Sequence, residues 1–243
     1  MDINNSVALV TGSNRGLGRA LVEVLLERGA RRVYAAARDP ESPAAAAAAR
    51  DRVVPLRLDL TSLDDISAAV AQASDVTLLV NNAGTAHFAD PFAAGRDEPA
   101  AEMAANYTGA VDLIRAFAPV IESAGGGAVV NVLSLLALAG TPPMAGYAAS
   151  KAALHSFTQS IRPGLRPRGI AVHGVYPGGI DTDMLAGFDD VPKAEPRKVA
   201  EAVVDGVAAG HTDIFPDPVS EEMSKLWWTD PKGFERAFSG EGR

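Results

Sequence analysis

A tyrosine and a lysine four residues apart are the residues best suited to chemistry in this sequence. Tyr147 and Lys151 belong to an alanine-rich stretch, 146–154, that favours a helix. Residues at this spacing share one helix face and lie one turn apart. Because an ammonium beside a phenol favours the phenolate, the pair predicts a lowered pKa for Tyr147 and proton exchange near neutral pH. The two residues also fit an ordinary helix face with a half-buried tyrosine and a solvated lysine.

Ser134 follows a predicted buried strand, 128–133, and precedes this helix. A residue at the carboxyl end of a central parallel strand points into the crevice where open α/β sheets bind ligands. A nucleophilic serine would need a Gly-x-Ser-x-Gly elbow or a histidine in a suitable relation, and neither is present. We therefore expect Ser134 to hydrogen-bond a substrate oxygen. The candidate substrate contacts around it are Leu136, Met144 and Met184.

A glycine-rich turn follows the first predicted strand, 7–11, and precedes a predicted helix that ends near Arg28. In this context backbone N–H groups and the positive helix end bind a pyrophosphate. The spacing is Gly-x-x-x-Gly-x-Gly, and Arg19 stands where a kinase-type phosphate loop needs a lysine. The candidate cofactor residues in the turn are Gly12, Ser13, Asn14, Arg15, Gly16, Leu17 and Gly18.

Two arginines predict which dinucleotide binds. About 20 residues after the glycines, an acid binds the ribose 2′-hydroxyl, whereas an arginine accommodates a 2′-phosphate. Arg38 follows Ala37 in that region, and Arg15 offers a second guanidinium. The sequence therefore predicts NADP(H) over NAD(H). Both arginines also fit as surface charges, and a shift of one residue would bring Asp39 to the ribose.

Two more turns complete a set of motifs. Asn81-Asn82-Ala83-Gly84 follows a predicted strand, 76–80, and a Pro-Gly segment, 177–182, follows another, 170–175. Together with Thr11 before the glycine turn and the Tyr-x-x-x-Lys pair, they resemble the short-chain dehydrogenase/reductase family over residues 5–215. The resemblance implies a Rossmann-type, doubly wound α/β fold with a mainly parallel sheet of about seven strands and helices on both faces. The alternation of predicted strands and helices supports the same fold class.

The resemblance also assigns roles. Ser134 and Tyr147 would bind a carbonyl oxygen, Tyr147 would be the acid or base, and Lys151 would hold the nicotinamide ribose. Asn106, within a predicted helix 97–121, would support a water path to the lysine, although it also fits as a packing residue. Asp59 would lie near the adenine, or else would cap the next helix. The implied cofactor contacts beyond the glycine turn are Asp59, Leu60, Asn82, Ala83, Gly84, Tyr147, Lys151, Pro177, Gly178, Ile180 and Thr182.

These roles imply an NADP(H)-dependent oxidoreductase that interconverts an alcohol and a ketone or aldehyde. The apolar residues expected around Ser134 suggest an apolar or mid-sized substrate. No cluster of basic residues outside the cofactor segments suggests a phosphorylated one. One alternative is a regulator that binds the cofactor without turnover, although a binder has no need of Ser134, Tyr147 and Lys151 together. The other is a lyase or epimerase with tightly bound NAD, a type that usually carries a longer C-terminal domain.

Composition narrows the class of protein. With 243 residues, of which 47% are hydrophobic, the chain predicts one domain, 1–243. A net charge of −8 gives no support for a nucleic-acid partner, and the absence of cysteine excludes disulfides and thiolate chemistry. The four histidines lack ligand spacing, so no metal is expected. No apolar run reaches the ~18 residues of a membrane span and no signal peptide is evident, so we expect a cytoplasmic protein without a membrane partner.

Other segments carry weaker predictions. Alanines 44–49 predict a helix, and Pro163-Gly164 is expected to end or kink the catalytic helix near Ile161. In the resembling family this helix often forms a homodimer or homotetramer interface, and the proline departs from that pattern. The stretch 184–196, rich in Asp, Gly and Pro, is expected to be a substrate lid. In the tail, 216–243, Trp227 and Trp228 are expected in the core, or else at the active-site mouth or against a partner.

Overall fold

The computed structural model describes residues 1–39, 51–93 and 95–239. The helix predicted from alanines 44–49 lies outside the described residues. Elsewhere strands and helices alternate as the sequence predicts. The strands are β1 (Val7–Thr11), β2 (Arg32–Ala37), β3 (Val53–Arg57), β4 (Leu78–Asn81), β5 (Gly127–Val132), β6 (Ile170–Val175), β7 (Gly179–Ile180), β8 (Lys193–Ala194) and β9 (Asp213–Ile214).

The helices of the described residues follow or precede these strands. The α-helices are α1 (Gly16–Glu27), α2 (Leu63–Gln72), α3 (Asp97–Met103), α4 (Gly109–Ser123), α5 (Ala145–Leu165), α6 (Pro196–Ala209), α7 (Pro218–Thr229) and α8 (Pro231–Ser239). Four short 3-10 turns add Leu135–Ala137, Pro142–Met144, Arg166–Arg168 and Asp183–Leu185. No helix among the described residues is both long and apolar enough to cross a membrane.

Seven strands form one parallel sheet in the order β3-β2-β1-β4-β5-β6-β9. This arrangement confirms the predicted Rossmann-type fold. The chain moves outward from β1 to β3, returns to pair β4 with β1, and then continues in the opposite direction. The reversal between β1 and β4 leaves a crevice at the carboxyl ends of the strands, where open sheets of this kind bind their ligands. The candidate residues that follow β1, β4, β5 and β6 therefore lie along one edge.

The two faces of the sheet bury two separate apolar clusters, because neighbouring strand residues point to opposite sides. On one face Ala8 and Val10 of β1 pack with α1 and α6. On the other face Val7 and Leu9 pack with α2, α4 and the carboxyl end of α5. Helices therefore cover both faces, which explains why the strands read as almost continuous apolar runs.

The helix that carries Tyr147 does not end where its proline predicted. α5 continues through Pro163 to Leu165. A proline so near the end of a helix costs few backbone hydrogen bonds. Tertiary contacts also hold this turn in place, because the Arg162 guanidinium donates to the carbonyl oxygens of Val172 and Thr212 and pairs with Asp213 at 2.6 Å.

The long helix predicted over 97–121 is divided by a π-helical turn, Ala104–Thr108. The tail beyond residue 216, for which no structure was predicted, forms α7 and α8. The expectation that both tryptophans lie in the core is wrong for Trp228, of which 68% is exposed. Trp228 instead packs against Trp227, with 4.4 Å between the ring centroids.

Candidate active site

Ser134, Tyr147 and Lys151 meet at the carboxyl end of β5. Ser134 follows this strand directly and caps the 3-10 turn after it, its Oγ accepting the Leu136 N–H at 3.1 Å. Tyr147 and Lys151 project from the first two turns of α5 and are buried, with 8% and 3% exposed. The Lys151 Nζ lies 5.6 Å from the centroid of the Tyr147 ring and donates to the Val132 carbonyl oxygen at 2.8 Å. The helical spacing thus places both groups beside the serine.

Burial raises the pKa of Tyr147, whereas the sequence predicted that its pKa would be lowered. Burial raises the pKa of Tyr147 to about 12, while a hydrogen bond with Ser134 acts in the opposite direction and the charge of Glu102 adds to the rise. Burial also lowers the pKa of Lys151 to about 8. The prediction that Lys151 lowers the pKa of Tyr147 towards neutrality is therefore wrong. The physical reason is that withdrawal from water disfavours the charged form of both groups.

Asn106 lies in the π-helical turn and is 1% exposed. Its side-chain amide pairs with the backbone of Thr85, accepting from the N–H and donating to the carbonyl oxygen, each at 2.8 Å. It also donates to Ser150 Oγ at 2.9 Å, and that hydroxyl donates to the Tyr147 carbonyl oxygen. Asn106 therefore connects the loop after β4 to the helix that carries the tyrosine. Interrupted helices of this kind are frequent at functional sites.

The glycine turn is held against the Asn-Asn-Ala-Gly turn by one threonine and one asparagine. Thr11 Oγ1 accepts the backbone N–H groups of Asn82 at 3.0 Å and Ala83 at 2.9 Å. The Asn82 Nδ2 donates to the Thr11 carbonyl oxygen at 2.8 Å and to that of Gly12 at 3.3 Å. Ser13 donates through its N–H and its hydroxyl to the Ala36 carbonyl oxygen. Side-chain hydrogen bonds thus stabilise a turn that is poor in side chains.

The glycines of this turn are required by geometry. Gly12 and Gly16 have φ angles of +65° and +53°, a region that favours glycine. A side-chain carbon on Gly18 would overlap the Gly12 carbonyl group and the Asn82 amide. Leu17 and Gly18 lie in the first turn of α1, which contains no acidic residue. A helix N-terminus that follows a glycine-rich turn and carries no acidic residue fits an anionic pyrophosphate group.

The Pro-Gly segment after β6 closes the other side of the crevice. The Pro177 carbonyl oxygen accepts the Leu135 N–H at 3.0 Å, which connects the segment to the turn at Ser134. Gly178 donates to the buried Asp217 carboxylate at 2.9 Å. Asp217 also caps α7, and the sequence offered an Asp-Pro helix start as the only signal for it. The tail therefore helps to position the candidate nicotinamide segment.

Ile180 and Thr182 follow in this segment. Ile180 belongs to β7, which pairs in parallel with β8, so part of the 184–196 stretch is regular structure. Thr182 lies beside Gly16, close enough that a side-chain carbon on the glycine would crowd its methyl group. The Arg15 guanidinium pairs with the neighbouring Asp183 at 2.7 Å, and both side chains are 71% exposed. The fold thus brings the glycine turn and the Pro-Gly segment into contact.

Arg38 and Asp59 lie at the outer end of the crevice, where β2 and β3 finish. Arg57, for which no role was predicted, pairs in register with Ala37 and donates to the Arg38 carbonyl oxygen at 3.3 Å. Asp59 accepts the N–H and hydroxyl of Thr61, and these hydrogen bonds lower the pKa of its carboxyl, with the nearby arginines adding to the effect. The cap of α2 is Ser62 rather than Asp59.

The remaining predicted residues lie around this crevice at different depths. Gly84 directly adjoins the Asn106 Oδ1 and the Lys151 Nζ. Met144 is buried at the start of α5, and Met184 is 38% exposed on the opposite segment. The others occupy the elements already described, namely Asn14 in the glycine turn, Leu60 before α2 and Leu136 in the 3-10 turn after Ser134. Among the described residues, no group of acidic or histidine side chains is placed to hold a metal ion.

Comparison with known proteins agrees with this geometry. The chain belongs to the short chain dehydrogenase family, whose sequence pattern matches residues 6–192. It is 30% identical over 220 residues to a 3-oxoacyl-acyl-carrier-protein reductase of Vibrio harveyi, covering 84% of this chain and 90% of that protein. It is 34% identical over 212 residues to a 3-alpha-(or 20-beta)-hydroxysteroid dehydrogenase of Mycobacterium bovis, covering 82% and 80% of the two chains.

A solved structure gives a similar result. A short chain dehydrogenase of Burkholderia cenocepacia, determined in complex with NADP, superposes with a TM-score of 0.88. The two chains are 38% identical, and the match covers 98% of this chain and 99% of that one. The similarity therefore includes the C-terminal helices as well as the residues that the family pattern matches. The protein is an enzyme of the oxidoreductase class that this family represents.

Proposed function

We propose that this protein is an NADP(H)-dependent carbonyl reductase that converts a ketone or aldehyde to an alcohol, with Tyr147 as the general acid. The observation that carries the proposal is the buried cluster of Ser134, Tyr147 and Lys151 at the carboxyl end of β5. A tyrosine with a pKa near 12 is protonated at neutral pH, which suits proton donation to a carbonyl oxygen. The reverse oxidation would need the phenolate, which this environment disfavours.

The residues present fit a dinucleotide. Gly18 allows α1 to pack closely against the Gly12 carbonyl group of the turn, and the start of α1 is free of acidic residues. Further candidate contacts are Asp59 and Leu60 at the adenine end and Pro177–Thr182 at the nicotinamide end. When bound, the reduced cofactor supplies the hydride.

The side chains of this protein would then bind and protonate the substrate oxygen. The Ser134 hydroxyl donates a hydrogen bond to it, and the Tyr147 hydroxyl transfers its proton to it as negative charge develops. The buried ammonium of Lys151 stabilises the phenolate that remains. Asn106, which holds the loop at Thr85 and the backbone at Tyr147, keeps this arrangement in place and supports the return of a proton.

The preference for NADP(H) rests on charge at the adenosine end. Arg57 ends β3 and Arg38 directly follows β2, whereas Arg15, which was also predicted for this role, pairs with Asp183 beside the Pro-Gly segment. Guanidinium groups suit a 2′-phosphate. The related Burkholderia cenocepacia structure, described as a complex with NADP, supports the same choice. Tighter binding of NADH than of NADPH would refute it.

The same proposal covers the wider molecule. Residues 1–243 would form a single cytoplasmic domain, with 184–196 as the substrate lid and 216–243 as a tail that buttresses the nicotinamide segment through Asp217. Pro163 was expected to end or kink the helix that often forms the oligomer interface in this family. Because α5 continues through Pro163, a homodimer or homotetramer formed through this helix remains part of the proposal. The substrate would be an apolar or mid-sized, unphosphorylated ketone or aldehyde, or the corresponding alcohol.

The test follows NADPH consumption with a panel of ketones, aldehydes and 3-oxoacyl thioesters. We expect turnover with the wild type and a loss of about 10²-fold or more in Tyr147→Phe, which keeps the ring but removes the proton donor. Tyr107→Phe, a half-buried tyrosine outside the cluster, is the matched control and should keep its activity. Turnover unaffected by Tyr147→Phe, or tight NADPH binding with no turnover of any carbonyl or alcohol, would contradict the proposed reaction.

A further inference from the structure

The catalytic helix adjoins a buried acid for which the proposed reaction has so far no role. Glu102 lies in α3 and is 2% exposed. Its Oε1 accepts the backbone N–H of His87 at 2.7 Å, and the His87 Nδ1 lies 3.6 Å away. Among the ion pairs of the described residues, this histidine is its partner, and no lysine or arginine joins it. A carboxyl group buried with so little compensation is costly, so it calls for a function.

The second carboxylate oxygen of Glu102 lies against the catalytic helix. A side-chain carbon on Gly146 would overlap Glu102 Oε2, so this oxygen lies against the first turn of α5, next to Tyr147. That turn contains no acidic residue of its own, and its N-cap residue, Met144, makes no side-chain capping bond. A carboxylate supplied by α3 therefore lies at the positive end of the catalytic helix, where negative charge is favoured.

The charged groups around Tyr147 include one cation and one anion. Lys151 lies 5.6 Å from its ring centroid on the same helix, and Ser134 hydrogen-bonds its hydroxyl from the end of β5. Glu102 faces it from α3, with His87 next to that carboxylate on the loop after β4. After burial, which has the largest effect, the charge of Glu102 contributes to the raised pKa of Tyr147.

We propose that Glu102 is a positioning residue of the candidate active site, whose buried carboxylate adds to the effect of burial in disfavouring the Tyr147 phenolate and ties the loop at His87 to the start of the catalytic helix. The inference rests on the proposed role of Tyr147 as a general acid and deepens it. A negative charge near the tyrosine disfavours the phenolate and so favours donation over abstraction of a proton. Glycine at 146 follows from the same arrangement, because it leaves space for the carboxylate.

Ionisation of Tyr147 can be followed without any substrate. The phenolate absorbance of each protein is titrated, and the curve of the matching Tyr147→Phe variant is subtracted. We expect Glu102→Gln, which keeps the size and the acceptor for the His87 N–H, to move the Tyr147 midpoint towards lower pH by on the order of one unit. Glu98→Gln removes the same charge from an exposed position on the same helix and should leave the midpoint unchanged.

The titration separates this inference from the proposed reaction, since its result does not depend on turnover. An unchanged midpoint in Glu102→Gln would overturn the inference even if the protein reduces carbonyls. A lowered midpoint would support it even if every carbonyl tested is inert. Where turnover is found, the alkaline limb of kcat/KM for reduction should move to lower pH in Glu102→Gln, and a fall in activity with an unshifted profile would indicate a purely structural role.

A second pair of variants tests the contact itself. Gly146→Ala should lower the thermal unfolding midpoint by a few degrees in the wild type, because the added methyl group meets the carboxylate. In a Glu102→Ala background the same change should have little effect, since the carboxylate is gone. An equal loss in both backgrounds would overturn the placement of Glu102 at the helix terminus.

Discussion

At the scale of single residues, Lys151 and Tyr147 lie in the interior of the protein beside each other, with 3% and 8% of their surfaces exposed. Both are ionisable, and both have pKa values displaced towards the neutral form. At neutral pH the Tyr147 phenol is protonated, so it can donate a proton. The Lys151 ammonium beside it can then stabilise the phenolate that forms. The chemistry of the pair is therefore set by its burial as much as by its spacing.

Lys151 should make the stability of the protein depend on pH. The pKa of this lysine is about 8 in the folded chain and 10.5 in the unfolded one. Between these values the unfolded chain binds a proton that the folded chain lacks, so stability rises with pH. Relative to Lys151→Met, the wild type should gain about 3 kcal/mol in unfolding free energy across this window.

Denaturant unfolding at a series of pH values measures this difference. Lys198→Met is the matched control, because it makes the same substitution at a lysine whose side chain is 78% exposed. If the wild type and Lys151→Met keep a constant difference from neutral pH to alkaline pH, the lysine is not held in the environment described. Lys151→Met should in any case lose activity while remaining folded.

At the scale of elements, the loop after β4 and the proposed lid contact each other. Phe88, in the loop after β4, stacks on Phe188, in the proposed lid, with 4.4 Å between ring centroids and 28° between ring planes. Such a pair contributes about 0.5–1.5 kcal/mol beyond the area it buries. The stack therefore favours an arrangement in which the lid rests on the loop.

Removing one ring should weaken substrate capture. In Phe188→Ala we expect KM for the carbonyl substrate to rise several-fold with a smaller change in kcat, because the lid loses a contact that favours closure. Steady-state kinetics with one substrate from the panel measures the split. Phe92→Ala is the control, since Phe92 lies in the same loop and is 98% exposed. Equal effects of the two substitutions would argue against a specific contact.

At the scale of the whole molecule, a buried polar ladder joins the sheet to the catalytic helix. The Asn81 Nδ2 in β4 donates to the Asn131 Oδ1 in β5 at 2.8 Å. The Asn131 Nδ2 donates to the Thr158 Oγ1 in α5 at 2.8 Å, and that hydroxyl donates to the Leu154 carbonyl oxygen. The ladder ties the strands that end at the candidate active site to the helix that carries Tyr147 and Lys151.

Removing one asparagine of the ladder should destabilise the protein more than removing both asparagines. Asn131→Leu leaves the buried Asn81 amide without its acceptor and should cost about 2–3 kcal/mol in unfolding free energy. The double variant Asn81→Leu/Asn131→Leu removes both partners and should recover part of that loss. Denaturant unfolding compares the three proteins. A double variant at least as unstable as Asn131→Leu alone would contradict the coupling.

Much of this architecture could be predicted from the sequence, because its signals are local. Buried parallel strands read as short apolar runs, and the glycine turn is recognisable because φ angles such as +65° at Gly12 require glycine. The Tyr147–Lys151 spacing places two side chains on one helix face wherever the helix lies. These patterns determine the fold class, the family and the set of candidate residues.

Only the tertiary structure decided what depends on distant neighbours. The direction of the Tyr147 pKa follows from burial, which no local pattern measures. Pro163 does not end α5, because Arg162 is anchored to residues far along the chain. Glu102 and Asp217 reach the site from α3 and from the tail, and no local pattern connects either residue to the site. A side chain's electrostatic environment is set by the packing of several elements, so it appears only when they are assembled.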